Sequence, residues 1–167
     1  MDRQPEALKV FATNPDSNVV SAGEAVGGLL TWPGKAVTLK SASKPLTNEQ
    51  QALYDLGRQT YTGLCAACHQ PSGKGQEGLA PPLADSEWVN GTHERLARIV
   101  LHGLRGPLTV NGVQYKLDMP AAGFLTDQQI AGVLTYIRRE WEHEATPVDV
   151  QEITRIRLQT QSRTDAW

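Results

Sequence analysis

Residues 63–70, GLCAACHQ, hold both cysteines of a 167-residue chain. Two residues separate the thiols of Cys65 and Cys68, and the imidazole of His69 follows directly. Three chemistries use such a pair: a zinc site, a dithiol redox switch and covalent haem attachment. Structural zinc takes four nitrogen or sulfur ligands, usually with a second pair at similar spacing. Here no second cysteine pair exists, and His93, His102 and His143 form no His-x-x-x-His. A thioredoxin-like switch sets its CxxC at a helix start within a βαβ unit. This CxxC closes a helical pattern instead. A plain structural pair of thiols is the bland alternative.

Covalent haem fits these residues best, because C-x-x-C-H is the attachment pattern. Two thiols on one tight helical turn can each add to one of two neighbouring vinyl groups on the porphyrin edge. The next residue, His69, then lies beneath the plane, where a ring nitrogen can bind iron. A second ligand is available. The chain has two methionines, and one is Met1. The other, Met119, stands about fifty residues past His69 in LDMPAAG, on an expected irregular loop before the last main helix. A thioether is a soft, neutral ligand that suits iron and raises its potential. Gap-filling packing is the ordinary role of a lone methionine.

The length allows one domain with extensions. Net charge is −2, so no strong basic field invites nucleic acid. The longest apolar run falls far below the roughly 20 residues of a membrane helix. The N-terminal MDRQPEALKVF reads as no secretory signal. An exported protein would have had its signal removed, or residues 1–167 would be a piece of a longer chain.

Residues 1–31 suggest a helical hairpin, PEALKVFA and VVSAGEAVGGLL around an NPDSN turn, either a HEAT-like unit or an arm. Residues 32–46, rich in Pro, Gly and Ser, read as a linker. At Thr47 a T-x-x-Q capping box opens a helix with Leu53, Leu56, Gly57, Tyr61 and Leu64 on one face. The Gly- and Pro-rich QPSGKGQEGLAPPLADSEWVNG is too long for an idle connection. Thr92 is expected to cap HERLARIVLHG, with Leu96, Ile99 and Val100 on one face and Gly103 as its stop. RGPLTVNGVQYKLDMPAAG holds an Asn-Gly between β-prone runs, so a small hairpin or extended loop is expected. Thr126 and Gln129 form a second capping box, opening a helix with Ile130, Val133, Leu134, Ile137 and Trp141 on its apolar stripe. Asp149 and Glu152 mark a short C-terminal helix within an extension over 144–167. The pattern predicts an all-α fold with a main domain over 47–143.

CAACH, APPL, LDMPAAG and GVLTYIRREW, in that order, resemble a class I bacterial cytochrome c with one haem. The resemblance covers about residues 48–143 and implies an all-α cytochrome c fold around one haem c, attached through Cys65 and Cys68. It implies His69 and Met119 as iron ligands, and a first–last helix crossing near Gly57, Tyr61, Leu134 and Tyr136. It further implies that Pro81 or Pro82 offers a carbonyl to the His69 N–H. Leu83, Trp88, Ile99, Leu104, Tyr115 and Phe124 are candidates for the pocket wall, each equally able to be plain core. Trp88 is also a candidate donor to a haem propionate. Arg98 and Arg105 are candidates for pairing with propionates, with solvated surface charge the plainer reading. The approach to the methionine is longer than a minimal domain needs, and the extensions resemble haem modules fused to larger dehydrogenase-like chains.

The function so implied is single-electron transfer from a dehydrogenase to a cytochrome or oxidase, outside the cytoplasmic membrane, with no nucleic acid. One alternative is a haem enzyme or gas sensor of peroxidase-like type, with an open distal position or with His93 or His102 as distal ligand. His102 alternatively complements a helix C-terminus. Another is a partner-docking module that carries the haem domain as a passenger.

Overall fold

Helix α1 (Asn48–Thr60) begins where the capping box predicts. The Thr47 hydroxyl accepts from the Gln50 N–H at 3.2 Å, and the Gln50 side chain accepts from the Thr47 N–H at 3.0 Å. The structure, a computed structural model, describes residues 10–11, 14–16, 19–20 and 44–167. The chain divides into two units, Met1–Ala42 and Ser43–Trp167. In the first, Val10–Phe11 and Val19–Val20 are helical, and the Asp16 N–H donates to the Asn14 side chain at 2.9 Å. The rest of the expected hairpin over 1–31, and the linker up to residue 43, lie outside the described residues.

After Thr60 the helix widens into one π-helical turn, Tyr61–Cys65, and tightens again as α2 (Ala66–His69). A π turn spends an extra residue. It rotates Leu64 off the apolar face, leaving that side chain 42% exposed where the 3.6-residue period predicts burial. Helix α3 (His93–His102) ends at Gly103, whose φ of +76° suits glycine.

The expectation of an all-α fold is corrected by an antiparallel hairpin, β1 (Leu104–Val110) and β2 (Val113–Met119). Leu104 pairs with Met119, and Val110 with Val113. Asn111 and Gly112 turn the chain with φ of +50° and +76°, the all-positive pattern that matches strand twist. Met119 therefore ends a paired strand and does not sit on an irregular loop. The hairpin is anchored at its tip, where the Glu87 carboxylate accepts from the Asn111 N–H at 3.0 Å.

Helix α4 (Asp127–Ile137) opens on the second capping box, with both reciprocal bonds present. It ends before Trp141, which continues the apolar cluster from a turn at φ +50°. Helices α1 and α4 cross in backbone contact. A Cβ built on Gly57 would lie 1.9 Å from the Gly132 carbonyl oxygen, so only glycine fits. Tyr61, Tyr136 and Trp141 pack beside this crossing with ring centroids 5.2 to 5.8 Å apart. Arg138, just past α4, is buried. It donates to the carbonyls of Val89 at 2.6 Å, Gly91 at 2.8 Å and Thr146 at 2.9 Å, tying three segments together.

Helix α5 (Val150–Thr160) packs on both α3 and α4. Ile153 and Ile156 are fully buried in the cluster that holds Leu134 and Ile137. Arg157 pairs with Asp127 at 2.7 Å and donates to the carbonyls of Gly123 and Leu125, each at 2.7 Å. Burial opposes the Asp127 charge, but hydrogen bonds from Thr154 and Arg157 and the Arg157 charge outweigh it, holding the carboxyl below its ordinary value.

Gly57→Ala drives a methyl into the Gly132 backbone and lowers unfolding free energy by about 3 kcal/mol, read by chemical denaturation. A depressed carboxyl stabilises above its unfolded pKa, and that contribution is lost as the pH falls through its folded value. Asp127→Asn therefore lowers stability at neutral pH and flattens the loss on acidification, measured as thermal midpoint against pH.

Candidate haem site

The site is built from the CxxCH turn outward. The His69 Nδ1 lies 3.1 Å from the Pro81 carbonyl oxygen. A carbonyl only accepts, so Nδ1 carries the proton and the lone pair stays on Nε2. Burial pushes the imidazole pKa down, partly countered by the Pro81 bond. The ring is thus held neutral, which is the metal-binding form.

The loop after α2 is shaped to return Pro81 to this position. Gly75 N–H donates to the His69 carbonyl at 3.0 Å, and Gln76 and Ala80 exchange two bonds of 2.9 Å. Leu83 N–H donates to the Gly73 carbonyl at 2.7 Å. A Cβ on Gly75 would lie 2.4 Å from the Ala80 carbonyl oxygen, and one on Gly73 would enter the Trp141 ring at 2.6 Å. Both glycines also have positive φ, +67° for Gly73 and +68° for Gly75. Buried His143 fixes the far end of the loop, its Nε2 donating to the Leu83 carbonyl at 2.9 Å while Nδ1 accepts from the Asn90 amide at 2.9 Å.

An apolar cavity of about 100 Å³, partly open to solvent, lies between this loop, α3, the hairpin and α4. A second, of about 90 Å³, shares His69, Pro81, Leu104, Leu108 and Met119 with it. Cys65 lines the first and Cys68 the second, while His69 and Met119 line both. A large apolar group with a metal at its middle fits this donor set: two thiols at one edge, and an imidazole and a thioether on shared walls. Zinc does not fit, since the described residues hold no group of three His, Cys, Asp or Glu able to bind a metal. Nor is the pair built as a redox switch. Burial, and then the neighbouring Cys68, push the Cys65 thiol up to about 11, whereas switch thiols are pushed down.

Pro81, Pro82, Leu83, Trp88, Ile99 and Leu104 all line the larger cavity. Two other wall candidates lie elsewhere. Phe124 is 75% exposed, because Leu125 is the residue of that turn that enters the core. Tyr115 lines a separate polar groove with Lys74, Glu77 and Lys116. The Trp88 indole N–H donates to the Thr109 carbonyl at 2.8 Å. Arg98 pairs with Glu94, and Arg105 with Asp118 at 3.2 Å on the surface. His93 bonds Glu152 at 2.9 Å and His102 bonds Thr160 at 2.7 Å, and neither lines either cavity.

Wall residues that the sequence reading did not propose as wall include Leu96 and Val100 of α3, Leu108 and Val110 of β1, and Val133 and Ile137 of α4. Strand alternation from Leu104 carries the signal for Leu108 and Val110. The helical stripes carry it for the others.

The sequence of residues 54–141 matches the family model described as Cytochrome c, and the chain belongs to that family. Proteins of this family bind haem c covalently, and Cys65 and Cys68 are the attachment cysteines of this chain. Cytochrome c-552 of Thermus thermophilus is 40% identical over 81 residues, covering 46% of this chain and 62% of that protein. The gluconate 2-dehydrogenase cytochrome c subunit of Pantoea cypripedii is 34% identical over 105 residues, 60% of this chain and 24% of that protein. The cbb3-type cytochrome c oxidase subunit CcoP of Azospirillum brasilense is 33% identical over 89 residues, 48% of this chain and 28% of that protein. The chain thus spans less than two thirds of the length of each of these relatives.

Two thioether bonds survive denaturation. Acidified organic solvent is expected to leave the pigment on the polypeptide and to extract it from a Cys65→Ala/Cys68→Ala variant, read by absorbance of the two phases.

Proposed function

We propose that the chain relays single electrons through its haem, with His69 and Met119 as the two axial ligands. The observation that carries this reading is that both side chains line the same pair of apolar cavities, with Nε2 of His69 left free by the Pro81 bond. The haem supplies an iron that gains and loses one electron without making or breaking bonds. His69 offers a neutral nitrogen in a fixed orientation. Met119 offers a soft sulfur that favours the reduced metal. The aliphatic walls exclude water and lower the local dielectric, which disfavours extra positive charge on the metal and raises the potential further.

Cys65 and Cys68 are only half-buried, so the cofactor edge they hold is the natural point of electron entry and exit. A net charge of −2 gives little long-range steering, which suits brief contacts of small area. Relatives named as dehydrogenase and oxidase subunits support a dehydrogenase donor and a cytochrome or oxidase acceptor. Attachment of haem to a CxxCH motif, which takes place outside the cytoplasmic membrane, supports a location there. No described helix is long and apolar enough to cross one. The open-site enzyme reading gains no support from His93 or His102, both of which have partners away from the cavity.

Carbon monoxide separates the closed site from the open one. The reduced protein is expected to keep its visible spectrum on brief exposure to the gas, because binding must wait for Met119 to leave, while Met119→Ala shifts it strongly and at once. An unshifted Met119→Ala spectrum would mean that Met119 is not a ligand.

A further inference from the structure

The hairpin that carries Met119 is held at its base by the tail that follows α5. The Trp167 N–H donates to the Gly103 carbonyl at 3.0 Å, and the Trp167 carbonyl accepts from the Arg105 N–H at 3.2 Å. These two positions bracket Leu104, whose cross-strand partner is Met119. Gly103 also touches the methionine segment directly. A Cβ there would lie 2.4 Å from the Met119 carbonyl oxygen and 2.9 Å from the Ala121 nitrogen. One buried glycine thus joins the tail to the main chain of Met119.

The tail is itself organised. The Arg163 guanidinium donates to the carbonyls of Asp165 at 3.0 Å and Ala166 at 2.8 Å. It lies 4.5 Å from the centre of the Trp167 ring, and Arg98 of α3 lies 4.8 Å from the same ring. Cation–ring contacts of this kind fix an aromatic that is otherwise partly in water. The tail starts from α5, whose last turn is tied to α3 by the bond between His102 and Thr160.

We propose that residues 163–167 position Met119 on the iron: Trp167 pins Gly103 and Arg105, and so fixes the strand end at which the thioether sits. The proposal rests on Met119 being the second axial ligand. A two-stranded hairpin alone is marginal in water. This one is latched at its tip by Glu87 and by the Trp88 indole, and the tail supplies the second latch, at the ligand end. Without it the base opens locally and Met119 leaves the metal more often. Trp167, Arg163 and Arg98 are positioning residues that touch neither cavity.

The test is the rate at which the reduced haem protein binds carbon monoxide. Deleting 163–167 is expected to raise that rate at least about tenfold, the scale set by two net backbone hydrogen bonds, with haem still attached and helical circular dichroism unchanged. Trp167→Phe keeps the main-chain bonds and a ring for the cations, and is expected to stay within about twofold of the parent. In the full chain, Trp167→Ala should speed amide exchange at Arg105 and carbon monoxide binding together. Should the truncated chain not mature, this variant decides alone. Faster exchange at Arg105 with an unchanged binding rate overturns the proposal, as does an unchanged rate in both variants. A parent that binds the gas as fast as Met119→Ala overturns the ligand assignment first, and the positioning role with it.

Discussion

The hydrogen bond from His69 Nδ1 to the Pro81 carbonyl is the constraint around which the rest of the domain is arranged. It connects the CxxCH turn to the wall of the cavity across twelve residues of chain, and it decides which ring nitrogen is free. The loop between the two partners would have no reason to return so tightly otherwise. Gly73 and Gly75 adopt backbone angles that suit glycine, the Trp141 ring fills the space a side chain at Gly73 would need, and His143 holds Leu83 from behind. These features act on one carbonyl oxygen. A displaced Pro81 would loosen the imidazole and, with it, the chemistry that the imidazole supports.

Much of this was legible in the sequence wherever a short-range rule applied. The two T-x-x-Q boxes predict the starts of α1 and α4, where both reciprocal bonds are present. The Asn-Gly pair marks the tip of the hairpin, although its flanks give too weak an alternation to set a seven-residue ladder against an extended loop. What escaped is what depends on a partner distant in sequence. Gly132 shows its meaning only against Gly57, and no period marks it. Leu64 fits the helical stripe, yet a single π turn moves it out to solvent. Phe124 and Leu125 are neighbours of similar hydrophobicity, and the direction of one turn decides which is core. Trp88 reads as a candidate donor to a cofactor, and only the fold shows that its indole N–H donates to a strand carbonyl.

The electrostatics of the domain are arranged by exclusion more than by attraction. The cavity walls are almost all carbon, and the buried cation Arg138 is satisfied by three carbonyl oxygens from two segments, with no carboxylate at hydrogen-bonding distance among the described residues. Burial pushes its pKa down, with the charge of Glu152 working the other way. A guanidinium tolerates this because its fixed fork matches several acceptors at once. The result is a rigid connection between the loop that holds Val89 and Gly91 and the strand of chain that leads to α5. An interior that reorganises little when charge arrives suits a carrier whose geometry should be the same in both oxidation states.

The burial of Ile153 and Ile156 has a consequence for how such a domain can be cut and spliced. The recognisable module stops at residue 141, but the hydrophobic interior continues through α5. A gene fusion or deletion drawn at the module's edge would strip a greasy helix from α3 and α4, leaving a sticky scar prone to self-association. Shuffling of this unit between larger assemblies would therefore have to carry the last helix along as part of the cassette.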